Sequence, residues 1–461
     1  MRIEEIITGF SDLAWGTPLL VLLLGGGLFF LIYSRLLPFR YFRHAIAILL
    51  GRYDDPDEPG QINHYQALST ALAATVGMGN ITGVALAITM GGPGAIFWMW
   101  VSAILGITTK YFTCTLAVMY RGRDSNGELQ GGPMYVIVEG LGRNWKPMAI
   151  FFSMLGMIGV LPMFQVNQLT QIVRDVVLVP NSIQAGFTSN LISGLVVAIL
   201  VGIVIFGGIK RIGKVTGRMV PIMVVLYVVL VLFIIFSNTD QIIPSFALIF
   251  RDAFTAQSVL GGSLGALVIT GVRRAAFSNE AGIGTAPMAH GAAKTNEPVR
   301  EGLVAMLGPV VDTIVVCTMT ALALIMTGVW NAGESDGITL TADAFEMAMP
   351  GYGSYLLTIC VFVFSISTML SFPYYGTKCF SFIFGAKHSY LYKWFYIITI
   401  PVGATATLGT VVGIFDGAYA LMAFPTMISA LLLSPSVIRA SKDYFSRLKE
   451  TRSGNTSTTG R

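Results

Sequence analysis

Apolar stretches of about twenty residues recur along nearly the whole chain, and they limit its fold more than any other feature. They lie at 17–36, 67–90, 94–119, 148–173, 189–208, 219–237, 258–291, 301–328, 353–375, 391–411 and 415–434. A helix of that length crosses the ~30 Å hydrocarbon core of a bilayer. Of the residues, 54% are hydrophobic and 11% charged, against about 25% charged in soluble domains. The polar surface is too small to cover a soluble core. The sequence therefore predicts an all-α polytopic membrane protein of eleven transmembrane helices in contact with lipid. Before the first stretch stand Glu4, Glu5 and Asp12, not the positive start of a secretory signal, so that helix is expected to be retained.

Charge orients the spans. Lys and Arg favour cytoplasmic loops, and most of the 29 lie in 35–66, 121–147, 209–218, 292–300, 376–393 and the tail. The alternate segments hold only Arg2, Arg174 and Arg251, and the loop 329–352 has Glu334, Asp336, Asp343 and Glu346 with no base. The expectation is an outside N-terminus and a cytoplasmic C-terminus. The net charge of +5 sits in short loops, which argues against nucleic acid. Cys114, Cys317, Cys360 and Cys379 lack metal-ligand spacing and read as buried free thiols. His44, His64, His290 and His388 lie in loops or at span ends. There is no H-E-x-x-H motif and no G-x-x-x-x-G-K-[ST] loop, so an intramembrane enzyme and an ATP-driven pump are disfavoured, and no cofactor is expected.

Apart from the first helix, ten spans divide into 67–237 and 258–434, between a leading segment 1–66 and a tail 435–461. Five spans per half force opposite orientations. Each half also opens on an irregular helix, "ATVGMGN" in the first and "GVRRAAFSNEAGIGTAP" in the second. Glycine costs about 1 kcal/mol in a helix interior, and unpaired backbone in lipid costs more. Such breaks persist where they are buried or line a wet cavity. Inverted five-helix repeats with a broken first helix in each are a transporter signature, with the substrate held near the midplane between the breaks. That arrangement favours alternating access over a channel. The competing reading of Gly79 and Gly83 is close helix packing.

The stretches "STALAATVGMGNITGVALAITMGGPGAIFWMW" and "FSNEAGIGTAPMAHGAAKTNEP" resemble the alanine or glycine:cation symporter family over nearly the whole chain. The resemblance implies a leucine-transporter-type fold, Na⁺-coupled uptake of a small neutral amino acid, and the plasma membrane of a bacterium or archaeon. It implies that backbone groups of Gly77, Met78 and Gly79 hold the substrate carboxylate and that Asn80 lends its amide oxygen to an adjacent cation. Carbonyls of Ala73 and Val76 then face a second cation, completed by Ser367, Thr368 and the carbonyl of Phe364. Phe277, Ser278 and Asn279 bound the substrate from the other side, and Gln165 reaches it from a third helix. Asn167, Gln168 and Gln171 read instead as hydrogen bonds between helices. A monomer or an oligomer of undetermined size is compatible with the sequence.

The chain departs from the family at three positions. Members associated with alanine and glycine often carry a tryptophan followed by a serine where this chain has Phe372 and Pro373, and a glutamate where it has Thr377. A phenylalanine leaves a roomier pocket, and a proline frees a carbonyl one turn back, near Met369. Larger neutral amino acids such as serine or glutamine, and H⁺ in place of Na⁺, are the alternatives. Ionisable residues inside spans are functional candidates. Asp312 is expected to complete a cation site with Asn80 or to pair with Arg273 or Arg274. Glu280 is expected to cap the half-helix after the second break, Lys110 to snorkel or pair within the bundle, and Asp416 to start a helix at an interface.

Overall fold

The computed structural model describes residues 2–254, 263–331 and 337–456. Residues 258–262 of the seventh expected span, part of the acidic loop and the last five tail residues lie outside them. The described chain is helical apart from a hairpin of two short antiparallel strands, Gly122–Arg123 and Leu129–Gln130.

The first helix differs from expectation. A helix α1 (Arg2–Ala14) precedes α2 (Thr17–Tyr33) and meets it at 44°. It packs along the last helix, α15 (Leu408–Thr456). Gly409, Gly413 and Gly417 form the seat: a Cβ there would lie within 2.1, 2.7 and 3.2 Å of Glu4, Ile7 and Phe10. Small residues one turn apart let two helices approach closely. Within the tail, α15 continues as helix to Thr456.

The first half comprises α3 (His64–Thr75), α4 (Met78–Gly91), α5 (Ala95–Met119), α6 (Lys146–Gly159), α7 (Met163–Ile172), α8 (Phe187–Ile205) and α9 (Gly208–Ser237). The second comprises α10 (Ser263–Asn279), α11 (Thr285–His290), α12 (Pro298–Thr327), α13 (Gly353–Phe384), α14 (Ser389–Thr405) and α15. Among the described residues, seven helices are long and apolar enough to cross a membrane, or nine if each of two bent pairs is one span. The two other expected spans are a shorter helix and an interrupted one. The helix α14 has 17 residues, about 25 Å at 1.5 Å per residue, the short end of what crosses a bilayer. The pair α10 and α11 is interrupted by five non-helical residues, 280–284.

Spans at the same place in each half pair with one another, the broken ones crosswise: α4 with α10 and α3 with α11, then α5 with α12, α6 with α13, and α8 with α14. The last helix of each half packs on the third of the other, α9 on α13 and α15 on α6. A two-fold relation between halves generates this set. Exposed Ile192, Val196, Ile199 and Ile203 on α8, and Ile222, Val225, Val229 and Phe233 on α9, give these helices apolar outer faces suited to lipid.

The fold holds α7 by a close approach to α14. A Cβ at Gly403 would lie 2.5 Å from the Met163 Cα, and that backbone atom cannot rotate away. Gly403→Val is expected to cost about 1–3 kcal/mol through overpacking, seen as earlier thermal unfolding in detergent. Gly202→Ala, whose nearest neighbour is Ile397 at 3.5 Å, should leave the transition in place.

Candidate functional site

The helix α3 opens on a reciprocal cap, in which the Gln66 N–H donates to Asn63 Oδ1 (2.8 Å) and the Asn63 N–H to Gln66 Oε1 (3.2 Å). It stops at Val76, whose ψ of 95° is extended, and Gly77 is extended too (φ −165°, ψ −142°). The chain resumes as α4, bent by 40°. The Gly77 N–H turns away from the helix to donate to Asn80 Oδ1 at 2.8 Å. Thr368 Oγ1, on α13, donates to the carbonyl of Ala73 at 3.0 Å. Ser367 Oγ donates to the carbonyl of Phe364 at 2.9 Å. A Cβ at Gly77 would lie 2.6 Å from Thr368 Oγ1. Ala73, Gly77, Phe364, Ser367 and Thr368 are thus gathered at one contact between the first break and α13, with Val76 beside Gly77 in the chain.

The second break covers the first. A Cβ on Gly79 would lie 3.2 Å from Phe277 and from the Ser278 Cα, and one on Gly83 3.5 Å from Phe277. Both sequence readings of these glycines therefore apply, since the packing that needs small residues is the packing of one break on the other. Between the breaks, Asn80 Nδ2 donates to Asp312 Oδ1 at 2.8 Å and to Ser278 Oγ at 3.1 Å. Ser278 Oγ (2.5 Å) and Thr313 Oγ1 (2.8 Å) donate to Asp312 Oδ2, and Asn279 Nδ2 donates to Thr313 Oγ1 at 3.0 Å. Asp312 is fully buried, and these three partners are all neutral. Its charge is therefore solvated by dipoles, an oxygen-rich setting suited to a small hard cation.

Arg273 and Arg274 do not pair with Asp312. Arg273 Nε (2.7 Å) and Arg274 Nη2 (2.5 Å) both donate to Asp416 Oδ2, and Arg273 Nη1 donates to Asp12 at 2.7 Å. Asp416 is not a helix start either. It is buried inside α15, and its carbonyl accepts from Trp15 Nε1 at 2.9 Å. Glu280 adopts a left-handed φ of 54° in the second break. Its carboxylate accepts from Tyr419 Oη at 2.7 Å and from Thr285 Oγ1 at the start of α11. Lys110 is buried rather than snorkelled, within electrostatic range of Glu280 and Asp312.

Aromatic rings close the space on the side of the arginines. Phe277 meets Phe164 edge-on (centroids 4.9 Å) and Phe415 at 4.7 Å, and Phe372 stacks on Phe415 at 6.2 Å. Next to Phe164, buried Gln165 has an Oε1 without a protein partner. By contrast, Asn167 donates to the carbonyls of Gly403 and Ala406, and Gln168 and Gln171 bond to Asn167, each other and Thr339. Met369, whose carbonyl Pro373 frees, does not present it to the site, because Tyr396 Oη takes it at 3.1 Å. Near Pro373 and Thr377 a cavity of about 210 Å³ begins, bounded also by Gln61, Asp124, Tyr374 and Lys378 at the end carrying the basic loops.

Sequence reasoning missed Phe415 and Thr313. Each is adjacent to a span carboxylate already singled out, Asp416 and Asp312, and that adjacency was the available signal.

Residues 1–458 match the sodium:alanine symporter family. An uncharacterized transporter of Haemophilus influenzae is 42% identical over 456 residues, 97% of this chain and 98% of that one. The sodium/alanine symporter AgcS of Methanococcus maripaludis is 41% identical over 453 residues, covering 96% and 98%. The probable sodium/glutamine symporter GlnT of Bacillus subtilis is 35% identical over 448 residues, covering 96% and 91%. The crystal structure of MhsT in complex with L-phenylalanine has the same fold, with a TM-score of 0.56 over 82% of this chain and 98% of that one at 14% identity. The chain belongs to the sodium:alanine symporter family, a family of multi-pass membrane transporters and not of enzymes.

Removing a partner from a buried ion pair costs about 3–5 kcal/mol, whereas an exposed pair is worth about 0–1 kcal/mol. Asp416→Ala should therefore lower the thermal unfolding temperature in detergent far more than Asp12→Ala, whose carboxylate is 68% exposed. Equal shifts would remove Asp416 as the anchor of both arginines.

Proposed function

We propose that this amino-acid symporter couples Na⁺ influx to uptake of a small neutral amino acid, alanine, glycine or a close analogue, by alternating access. The observation that carries the reading is the bond from Thr368 to the Ala73 carbonyl. It joins α13 to the first break where a cation would replace the hydroxyl proton as the carbonyl's partner. Ala73, Val76, Phe364, Ser367 and Thr368 form one Na⁺ site, and Asn80 with Asp312 a second beside the substrate. The substrate carboxylate meets the backbone of Gly77, Met78 and Gly79, where N–H groups at a helix start favour an anion, and the Gly77 N–H exchanges its Asn80 partner for it. Phe277, Ser278, Asn279 and Phe372 enclose the rest, and the unpartnered Gln165 oxygen is placed to accept from the ammonium group.

The segments 67–237 and 258–434 are the two repeats that move against each other, between the leading 1–66 and the tail 435–461. The basic loops face the cytoplasm of a plasma membrane. Bound Na⁺ braces the broken helices and raises substrate affinity, and by linkage substrate raises Na⁺ affinity by the same factor. A larger substrate such as glutamine is the second reading, supported by Phe372 where relatives often have a tryptophan.

Reconstituted protein is expected to accumulate labelled alanine or glycine only with an inward Na⁺ gradient. Accumulation independent of that gradient would overturn Na⁺ coupling. Losing one ligand is worth about 1–3 kcal/mol, so Asn80→Ala and Thr368→Ala should raise the Na⁺ concentration for half-maximal uptake at least about fivefold. Phe372→Trp should reduce glutamine uptake relative to alanine, and an unchanged ratio would acquit Phe372 of setting substrate size.

A further inference from the structure

Three buried ionisable side chains meet at the basic end, away from the site described above. Glu301, in the first turn of α12, lies between two imidazoles. His64, the first residue of α3, directs Nδ1 at Glu301 Oε2, and His290, the last residue of α11, directs Nδ1 at Glu301 Oε1 at 2.5 Å. None of the three side chains is more than 1% exposed. The Nε2 atoms of both histidines are buried without a protein partner.

Proton counting follows from this geometry. An ionised carboxylate only accepts, so each Nδ1 facing it carries a hydrogen. If both imidazoles are neutral, the cluster holds one buried negative charge and two bare acceptors. One further proton, on either Nε2, brings the net charge to zero and makes one contact a charge-assisted bond. The neighbouring charges are engaged elsewhere. Arg121, from the end of α5, donates to the carbonyls of Gly291, Ala293, Thr295 and Pro59. Arg300 donates to the Tyr53 carbonyl and lies 4.0 Å from Glu58. Asp54 acts on His64 from the rim, and the buried Cys114 of α5 lies within electrostatic range of Glu301.

We propose that His64, Glu301 and His290 form a proton-binding site that clamps α3 and α11 to α12 and so holds the basic end closed. The mechanical consequence rests on the alternating-access reading, in which α3 and α11 are the half-helices that part to open that end. Parting them separates both imidazoles from Glu301 and admits water, so opening releases the proton. Low pH then favours the closed end, and raising the pH favours opening by at most about tenfold per pH unit for one proton.

The chain has four histidines, which suits nitrogen-15 histidine spectroscopy of the full-length protein in nanodiscs. The expected result is one doubly protonated imidazole, assigned to His64 or His290 by His64→Gln and His290→Gln. It should persist at pH 8 and vanish in Glu301→Gln. Neutral His64 and His290 from pH 6 to pH 8 in the unaltered protein would overturn the proposal, with no variant needed. Counterflow of labelled alanine at equal Na⁺ on both sides should quicken severalfold from pH 6 to pH 8 and become flat in Glu301→Gln. Equal rates in the unaltered protein would overturn the clamp. Absence of counterflow with every neutral amino acid would overturn the transport reading, while the spectrum would still decide the proton site.

Discussion

A backbone amide inside a bilayer has no water to turn to, and the structure is arranged around one place where the helical ladder stops supplying partners. At Val76–Gly77 the N–H goes to Asn80 and the Ala73 carbonyl to Thr368. The second bond brings α13 against the first break, and the Asn80 amide that takes the N–H also donates to Ser278 of the second. The approach is close enough that Gly77 faces a hydroxyl and Gly79 a Cα. The break, its glycines and the helices around it are one solution to one unsatisfied stretch of backbone.

The buried carboxylates divide by the donors they attract. Asp416 has two guanidinium groups, Glu301 two imidazoles, Glu280 a phenol and a hydroxyl, and Asp312 an amide and two hydroxyls. A charge met by cations is neutralised and fastens helices. A charge met by neutral dipoles keeps its attraction for a mobile ion, and Asp312 sits between the two breaks. The opposite ends use different chemistry, permanent guanidinium charge at one and titratable imidazole at the other.

Much of the architecture was legible because lipid makes apolar length and basic loops strong signals. The two breaks were legible for the same reason, since glycine and asparagine are out of place in a span. The partner of Arg273 and Arg274 was not. Asp312 and Asp416 are both lone carboxylates within spans, and nothing local says which lies beside the arginines. The carbonyl freed by Pro373 was legible, but its capture by Tyr396 belongs to a neighbouring helix. The roles of His64 and His290 were equally hidden, because span-end histidines become a cluster only when Glu301 is placed between them.

The sequence alone determined that the chain is a helical membrane protein and where its helices are interrupted. These depend on the cost of burying polar groups in lipid, which each segment carries by itself. Tertiary structure alone decided which carboxylate meets which cation, which carbonyls stay open, and that the two breaks cover each other. Those depend on distances between segments up to several hundred residues apart, and hydrogen bonds and ion pairs act only at contact.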